Sequence, residues 1–481
     1  MKLQSTQNTD DAAADSGDRV GHIERRGISF VPDSARKSRP VTVGVVFFGA
    51  QFNYGALILG ALPVAFGLSL WASVSVILLG TLLGTAGFAA MVPIGSRSGT
   101  NATVSSGAFF GIRGRYIGSL ITQIVDLGYF ALNFWISAPP LVAASHRLFG
   151  TPIDGAATAV ALVITVLGVL GLAVFGHATI VAYEKLTAVA GVIAIMLLVL
   201  FTGVNFTGQH NPVPHYALGS FWPTWTMALT VQISNAISYG PFASDYSRYV
   251  PSKTSARSLY LWAFGGMFTG CMVGLGAGAF IGVAIADPYN LIGGMIGFLP
   301  FWLVMPVTLI SFFANTTCGS LVVYNGILNM HGMFWRLKWL QVSAIFGVLG
   351  IALACTGLIV TDFAARIDAL CSVVTILVTP WMMINVIGYL QHRGRFDTAS
   401  LQDFDHRNPD NIYWYQRGWN LRALTAWVIS TAIGILFSDT RLFVGPLANV
   451  AGGADLSFAS SALVGVVLYL ALAPKRNQGF A

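Results

Sequence analysis

Apolar stretches of about twenty residues or more recur along this chain, near 42–66, 71–94, 117–143, 156–176, 185–206, 222–244, 258–286, 298–328, 340–360, 368–390, 420–438 and 459–474. A helix rising about 1.5 Å per residue needs about twenty such residues to cross roughly 30 Å of hydrocarbon. The runs therefore predict an all-α integral membrane protein with twelve spans. Only 9% of the residues are charged, against about 25% in soluble domains, so a soluble enzyme, a nucleic-acid binder and a disordered chain are all poorly supported. Cys271, Cys318, Cys355 and Cys371 sit in apolar stretches without a CxxC spacing and read as packing residues. No apolar core lies near Met1, so no cleavable signal is expected.

Charge placement orients the spans. With both termini inside, 23 of the 26 Lys and Arg residues fall on inner segments, and Arg147, Arg366 and Arg441 fall outside. Inner loops carry such an excess, and one missed or extra span would invert every later loop. The expected organisation is a cytoplasmic, largely disordered tail over 1–40, five helices over 41–206, five more over 222–390, a cytoplasmic loop over 391–419, two further helices over 420–474 and a cytoplasmic tail over 475–481. The location expected is the plasma (inner) membrane.

Spanning helices satisfy their backbone internally, so Gly and Pro inside them mark candidate interruptions. The first run contains Asn53-Tyr54-Gly55, with Gly49, Gly60 and Pro63 nearby, and the sixth contains Ser238-Tyr239-Gly240-Pro241. A repeat of five spans puts the two in corresponding positions, where transporters with inverted repeats unwind paired helices around a midplane site. Close packing on Gly-rich faces is the competing reading.

The third run reads Asp126-Leu-Gly-Tyr129-Phe-Ala-Leu-Asn133. Tyr129 and Asn133 are four apart and share a helical face. A ring beside an amide suits a planar heterocycle, because the ring stacks and the amide offers both donor and acceptor. Asp126 is the carboxylate that these boundaries put well inside the bilayer, where an ionised acid costs about 2.5 kcal/mol or more unless paired or wet. It is the candidate for proton coupling, against a structural, hydrogen-bonded acid. The eighth run carries Asn315-Thr316-Thr317-Cys318-Gly319-Ser320, either a lined cavity or cation site or a close helix contact. Asp245 with Arg248, and Glu184 with Lys185, read as capping or ion-pair residues at inner helix ends. His177, closing the fourth run, reads as an interface residue. No Walker sequence and no channel-filter run is present, and there is no intramembrane nucleophile constellation of an enzyme.

Several short segments at span ends resemble the purine–cytosine permease family, the nucleobase–cation symporters of LeuT-type fold. They are Ile23-Glu24-Arg25-Arg26-Gly27-Ile28, Gly95-Ser-Arg97-Ser-Gly99, Ala243-Ser-Asp245-Tyr246-Ser247-Arg248-Tyr249, Arg393-Gly-Arg395-Phe396-Asp397 and Gly418-Trp-Asn420. The resemblance implies two inverted five-helix repeats plus two C-terminal helices, and a substrate held between the third and sixth helices. It implies Tyr129 and Tyr239 as the ring-facing aromatics and Asn133 as the edge-reading amide. Asn53, Tyr54, Gly240, Asn315, Thr316 and Ser320 complete the expected substrate site. A sodium site, where present, would lie near Gly49, Asn315, Thr316 and Thr317. Sodium-using relatives have adjacent hydroxyls where this chain has Ala314-Asn315, the usual eighth-helix amide falls on Gly319 or Ser320, and the family's tenth-helix Asp is Asn385. The expectation is a non-enzymatic symporter importing a nucleobase, cytosine or a purine, without a cofactor, and coupled to H⁺. The alternatives are a Na⁺-coupled carrier of hydantoin, allantoin or a vitamin-like pyrimidine or pyridine, a membrane-embedded enzyme, and a nontransporting receptor. The expected partners are the heterocycle and the bilayer, with no nucleic acid.

Overall fold

The computed structural model describes residues 19–24, 26–204, 215–285, 288, 291–356, 363–405, 408–440 and 443–473. The tails before residue 19 and after 473, and also Arg25 and Arg441, lie outside the described residues. Among the described residues the chain's regular elements are helices, with two isolated β-bridges at Gln416–Trp419 and Asp439–Val444. Its longer elements are α1 Pro40–Gly49, α2 Tyr54–Ala65, α3 Leu70–Ser98, α4 Ala102–Phe110, α5 Arg115–Phe149, α6 Gly155–Phe175, α7 His177–Val204, α8 Phe221–Ile237, α9 Ala243–Ser247, α10 Ala256–Ala284, α11 Leu291–Phe298, α12 Phe301–Met333, α13 Trp339–Thr356, α14 Phe363–Gln391, α15 Thr398–Leu401, α16 Leu421–Leu436 and α17 Ser457–Ala471.

Among the described residues seven helices are long and apolar enough to cross a membrane, or eight if α1 and α2 form one span. Three apolar helices, at Trp339–Cys355, Leu421–Leu436 and Ser457–Ala471, are shorter, and α8 has 17 residues. The helices exceed or undershoot their apolar runs. Helix α5 extends past both ends of 117–143, and α7 starts eight residues before 185. Between the second and third apolar runs lies a further helix, α4, with every residue buried.

The first apolar run is broken. Its two halves, α1 and α2, meet at 61° across Ala50–Asn53. Asn53 starts the second half as its N-cap: its side-chain oxygen accepts from Ala56 N at 3.0 Å, and its Nδ2 donates to Ala50 O at 2.6 Å. One side chain thus satisfies a donor and an acceptor that the break would otherwise leave bare. The sixth run also interrupts. Helix α8 ends at Ile237, a 3-10 turn covers Gly240–Phe242, and α9 follows.

Both halves of the first run pack on α10, whose glycines recur every fourth residue from Gly266 to Gly282. A Cβ at Gly270 would stand 2.8 Å from Phe48 O, and one at Gly278 would come closer still to the backbone of Leu57. Such small-residue faces let backbones approach where lipid gives no hydrophobic drive.

Candidate functional site

The half-helices α1–α2 and α8–α9 meet α5 and α12 around a cavity of about 60 Å³. Its lining mixes apolar walls (Leu59, Leu132, Ile136, Phe242, Val322) with polar groups from four helices. Four sequence-selected residues converge there, namely Asn53, Tyr129, Asn133 and Tyr239. Helical spacing explains the pair on α5, since Tyr129 and Asn133 are one turn apart.

Asn133 donates from Nδ2 to Asn315 O at 3.2 Å, and its Oδ1 is buried without a partner. The Tyr129 hydroxyl faces Ser234, Ser238 and Cys371 but makes no hydrogen bond of good geometry. Tyr239 places its hydroxyl 3.5 Å from Cys318 Sγ, and its ring sits edge-on to Phe47 and Phe242. Asn53 reaches the same sulfur from Nδ2 at 3.3 Å. The site therefore has two tyrosine rings, one free amide acceptor and a thiol at the meeting point of the two interrupted runs. A larger groove of about 800 Å³ between α1 and α10 opens on the outer surface at Gly44, Trp262 and Thr269. Its polar side chains, Ser255, Arg257, Ser258 and Thr269, all come from α10 and its N-cap rather than from four helices.

The remaining candidates are placed elsewhere. Tyr54 is buried and directed at Ser311. Gly240 faces Met382. Asn315 hydrogen-bonds Ser137 on α5, Thr316 packs on Gly168 of α6, and Ser320 donates to Val169 O at 3.0 Å. Thr317 donates to Phe313 O at 2.8 Å within its own helix. Asn315 and Thr316 are thus turned toward α5 and α6. Gly49 faces Glu184 and Ala188 of α7, so the structure does not gather these residues around it.

Asn235 and Ser238, which the sequence did not single out for substrate, line the cavity too, and of the eighth-run stretch 315–320 it is Cys318 and Gly319 that face it. The signal for the first two was their spacing on the α8 face that ends in Tyr239. Cys318, read as packing, is also a polar lining atom.

Asp126 is fully buried and neither of its carboxylate oxygens has a hydrogen-bond partner. The charged group that bears on it is Asp245. It is not the only deeply buried carboxylate, because Glu184 and Asp245 are 1% and 0% exposed. Glu184 is within α7, not at a helix end, because that helix starts at His177 after the left-handed Gly176 (φ 77°). His177 correspondingly opens α7 and stacks on Tyr249 at 3.7 Å.

Arg248 is also fully buried, and the structure makes it more than a cap. It donates to Gly27 O at 2.8 Å and to Tyr324 Oη at 3.1 Å, and Tyr324 donates to Glu24 Oε2 at 3.2 Å. This ties the segment before α1 to α9 and α12. Asp245 instead accepts from Asn325 Nδ2 at 2.7 Å.

The family model described as permease for cytosine/purines, uracil, thiamine, allantoin matches residues 30–465. The chain is 26% identical to "Putative purine-cytosine permease YxlA" of Bacillus subtilis (strain 168), covering 94% of this chain and 96% of that one. It is 22% identical to the purine-uracil permease NCS1 of Arabidopsis thaliana over 76% of this chain and 63% of that one. The fold matches Mhp1, a nucleobase-cation-symport-1 family transporter solved closed with bromovinylhydantoin bound, with a TM-score of 0.73 at 15% identity, covering 93% and 94% of the two chains.

Proposed function

Because this chain belongs to the permease family for cytosine/purines, uracil, thiamine and allantoin, and so is a multi-pass membrane transporter and not an enzyme, we propose that it imports a nucleobase, cytosine or a purine, by proton-coupled symport. The observation that carries this reading is the cavity where both interrupted runs meet, faced by Tyr129, Tyr239 and the free acceptor of Asn133. A planar ring stacks on aromatic faces whatever its substituents, while amide and thiol groups read its edge. In this reading Tyr129 and Tyr239 flank the ring, and Asn133, Asn53 and Cys318 address its rim.

The transport cycle is alternating access, with the half-helices rocking around a fixed site. In this reading the seven long helices, the bent pair, α8 with α9, and the three shorter apolar helices would make twelve crossings, arranged as two inverted sets of five plus two. Both termini then face the cytoplasm, in the plasma (inner) membrane. Proton coupling is favoured over sodium because Asn315 and Thr316 turn away from Gly49. The proton would ride on a carboxylate inside the bundle, where Asp126 and Glu184 both have unpartnered oxygens.

Mhp1, which shares the fold, was solved with a hydantoin bound, and the second reading is a carrier of a hydantoin or a related ring coupled to Na⁺. Uptake of radiolabelled cytosine, adenine, uracil, allantoin and benzylhydantoin into proteoliposomes, with an imposed proton or sodium gradient, tests both. Proton-driven accumulation of a nucleobase, strongly reduced by Asn133→Ala, is the expected result. Sodium-driven hydantoin uptake would replace the first reading with the second, and loss of no uptake in Asn133→Ala would remove that residue from the site.

A further inference from the structure

We propose that Glu184, at the break of the first span, is the group that takes up and releases the coupling ion, a proton. This rests on the proton-symport reading above and names the residue on which it turns. Glu184 lies on α7, where its side chain meets the last turn of α1. A Cβ at Gly49 would stand 2.7 Å from Glu184 Oε2 and 2.8 Å from its backbone oxygen, so the glycine is what lets the two helices close on the acid.

Two features leave its charge unbalanced. Neither carboxylate oxygen has a hydrogen-bond partner, and the residue is 1% exposed. The groups facing it are Thr187 on its own helix, Tyr239 and Tyr246 around the sixth-run break, and Cys318 on α12, and none of these is a cation. Lys185 follows in sequence but is exposed. The neighbouring end of α1 is a helix C-terminus, whose partial charge is negative. An anion buried against it needs one positive charge from elsewhere. The local ligands suit a proton better than a metal ion. The carbonyls closing α1 are used by the turn, with Phe48 O accepting from Gln51 N, Gly49 O from Phe52 N and Ala50 O from Asn53 Nδ2. The cysteine sulfur is a poor ligand for a hard cation such as sodium.

The position also gives a route to the substrate. Cys318 and Tyr239 face Glu184 and line the cavity, and Asn53 touches the same sulfur while capping α2. Protonation at Glu184 is therefore felt at the hinge of the broken span and at two cavity walls. Asp126 lies instead beside Asp245 and is not among the cavity lining. The chemistry is a reversible proton transfer: one O–H bond forms on a carboxylate oxygen from water on one side of the membrane and breaks to water on the other.

The test uses the full chain in proteoliposomes with radiolabelled cytosine, or whichever ring gives wild-type uptake in the panel above. In wild type, an alkaline interior drives accumulation. Glu184→Gln is expected to exchange labelled for unlabelled ring at near the wild-type rate while gradient-driven accumulation falls tenfold or more. Glu184→Asp, which keeps a titratable group, is expected to retain gradient-driven accumulation. Accumulation by Glu184→Gln at the wild-type level overturns the proposal, as does loss of coupling in Asp126→Asn with Glu184→Gln still coupled. If Glu184→Gln does not fold, Glu184→Asp decides, and gradient-independent uptake by it counts against the proposal. Wild-type uptake that ignores the proton gradient would instead refute the proton-symport reading itself.

Discussion

Gly319 makes the space that Asn133 occupies. A Cβ on Gly319 would stand 2.9 Å from the amide carbon of Asn133, closer than real Cβ contacts come. The amide oriented this way donates to Asn315 O and leaves Oδ1 free toward the cavity. Gly319→Ala should therefore push the amide off its hydrogen bond. The expected outcome is about a tenfold weaker half-saturation for the transported ring. An overpacking cost of about 1–3 kcal/mol should also appear as a lower Tm. Uptake kinetics and thermal unfolding of the detergent-solubilised protein measure the two effects separately.

Tyr239 contributes a ring face and a hydroxyl, and the two are separable. The hydroxyl's hydrogen-bond partner is a thiol at 3.5 Å, a weak one. Tyr239→Phe should leave ring affinity within about threefold of wild type. Tyr239→Ala removes the face, and stacking of a base on an aromatic side chain is worth about 1–3 kcal/mol, so affinity should fall roughly fivefold to a hundredfold. Titration by ligand-induced thermal shift, which rises with ligand excess over Kd, would show the ordering. Equal losses in both variants would mean that the hydroxyl, not the face, does the binding.

The interruption of the first run was legible because Asn53-Tyr54-Gly55 places a capping residue inside an apolar stretch, a conflict that only a broken helix resolves. The face of α5 was legible from one helical interval. The register of α12 was not. Asn315, Thr316, Thr317, Cys318 and Ser320 cover all sides of that helix, and it packs on α5, α6 and α7 as well as on the cavity, so periodicity selects no inward face. Glu184 was misplaced for a related reason. The apolar run starts after it, whereas the helix starts at His177 with a polar first turn that is nonetheless buried against the segment before α1 and the α9 end. Burial of polar groups among other helices leaves no mark on hydropathy. The glycines of α10, spaced by four, show that Gly-rich packing and helix interruption coexist here, on facing helices.

The ties among Glu24, Gly27, Arg248 and Tyr324 hold the segment before α1 against α9 and α12. Tyr324 is both acceptor from Arg248 and donor to Glu24, so Tyr324→Phe removes two bonds without adding volume. A net loss of about 1 kcal/mol corresponds to roughly a fivefold larger population opened on that side. Cys318, buried at the cavity wall, reports the opening. Its labelling by a small maleimide, read by mass spectrometry of the peptide that carries it, should accelerate several-fold in Tyr324→Phe. An unchanged rate would mean that these ties do not hold that side shut.

Asp455 supplies a pH dependence outside the spans. It lies just before α17, 6% exposed, with Oδ1 accepting from Ser457 N at 2.9 Å and Oδ2 without a partner. Burial outweighs these bonds and pushes its carboxyl up to about 7 from 3.8. The folded chain therefore binds the proton more tightly than the unfolded chain. The stabilisation is fully present below about pH 4 and is lost as pH rises through about 7, with a slope of at most about 1.4 kcal/mol per pH unit between them. Asp455→Asn keeps the acceptor and removes the titration. Its Tm should exceed that of wild type near pH 8, and the gap should narrow steadily as pH falls below about 7 toward about 4, once the dependence shared by both proteins is subtracted. A constant difference across that range would show that Asp455 is ionised in the folded chain throughout.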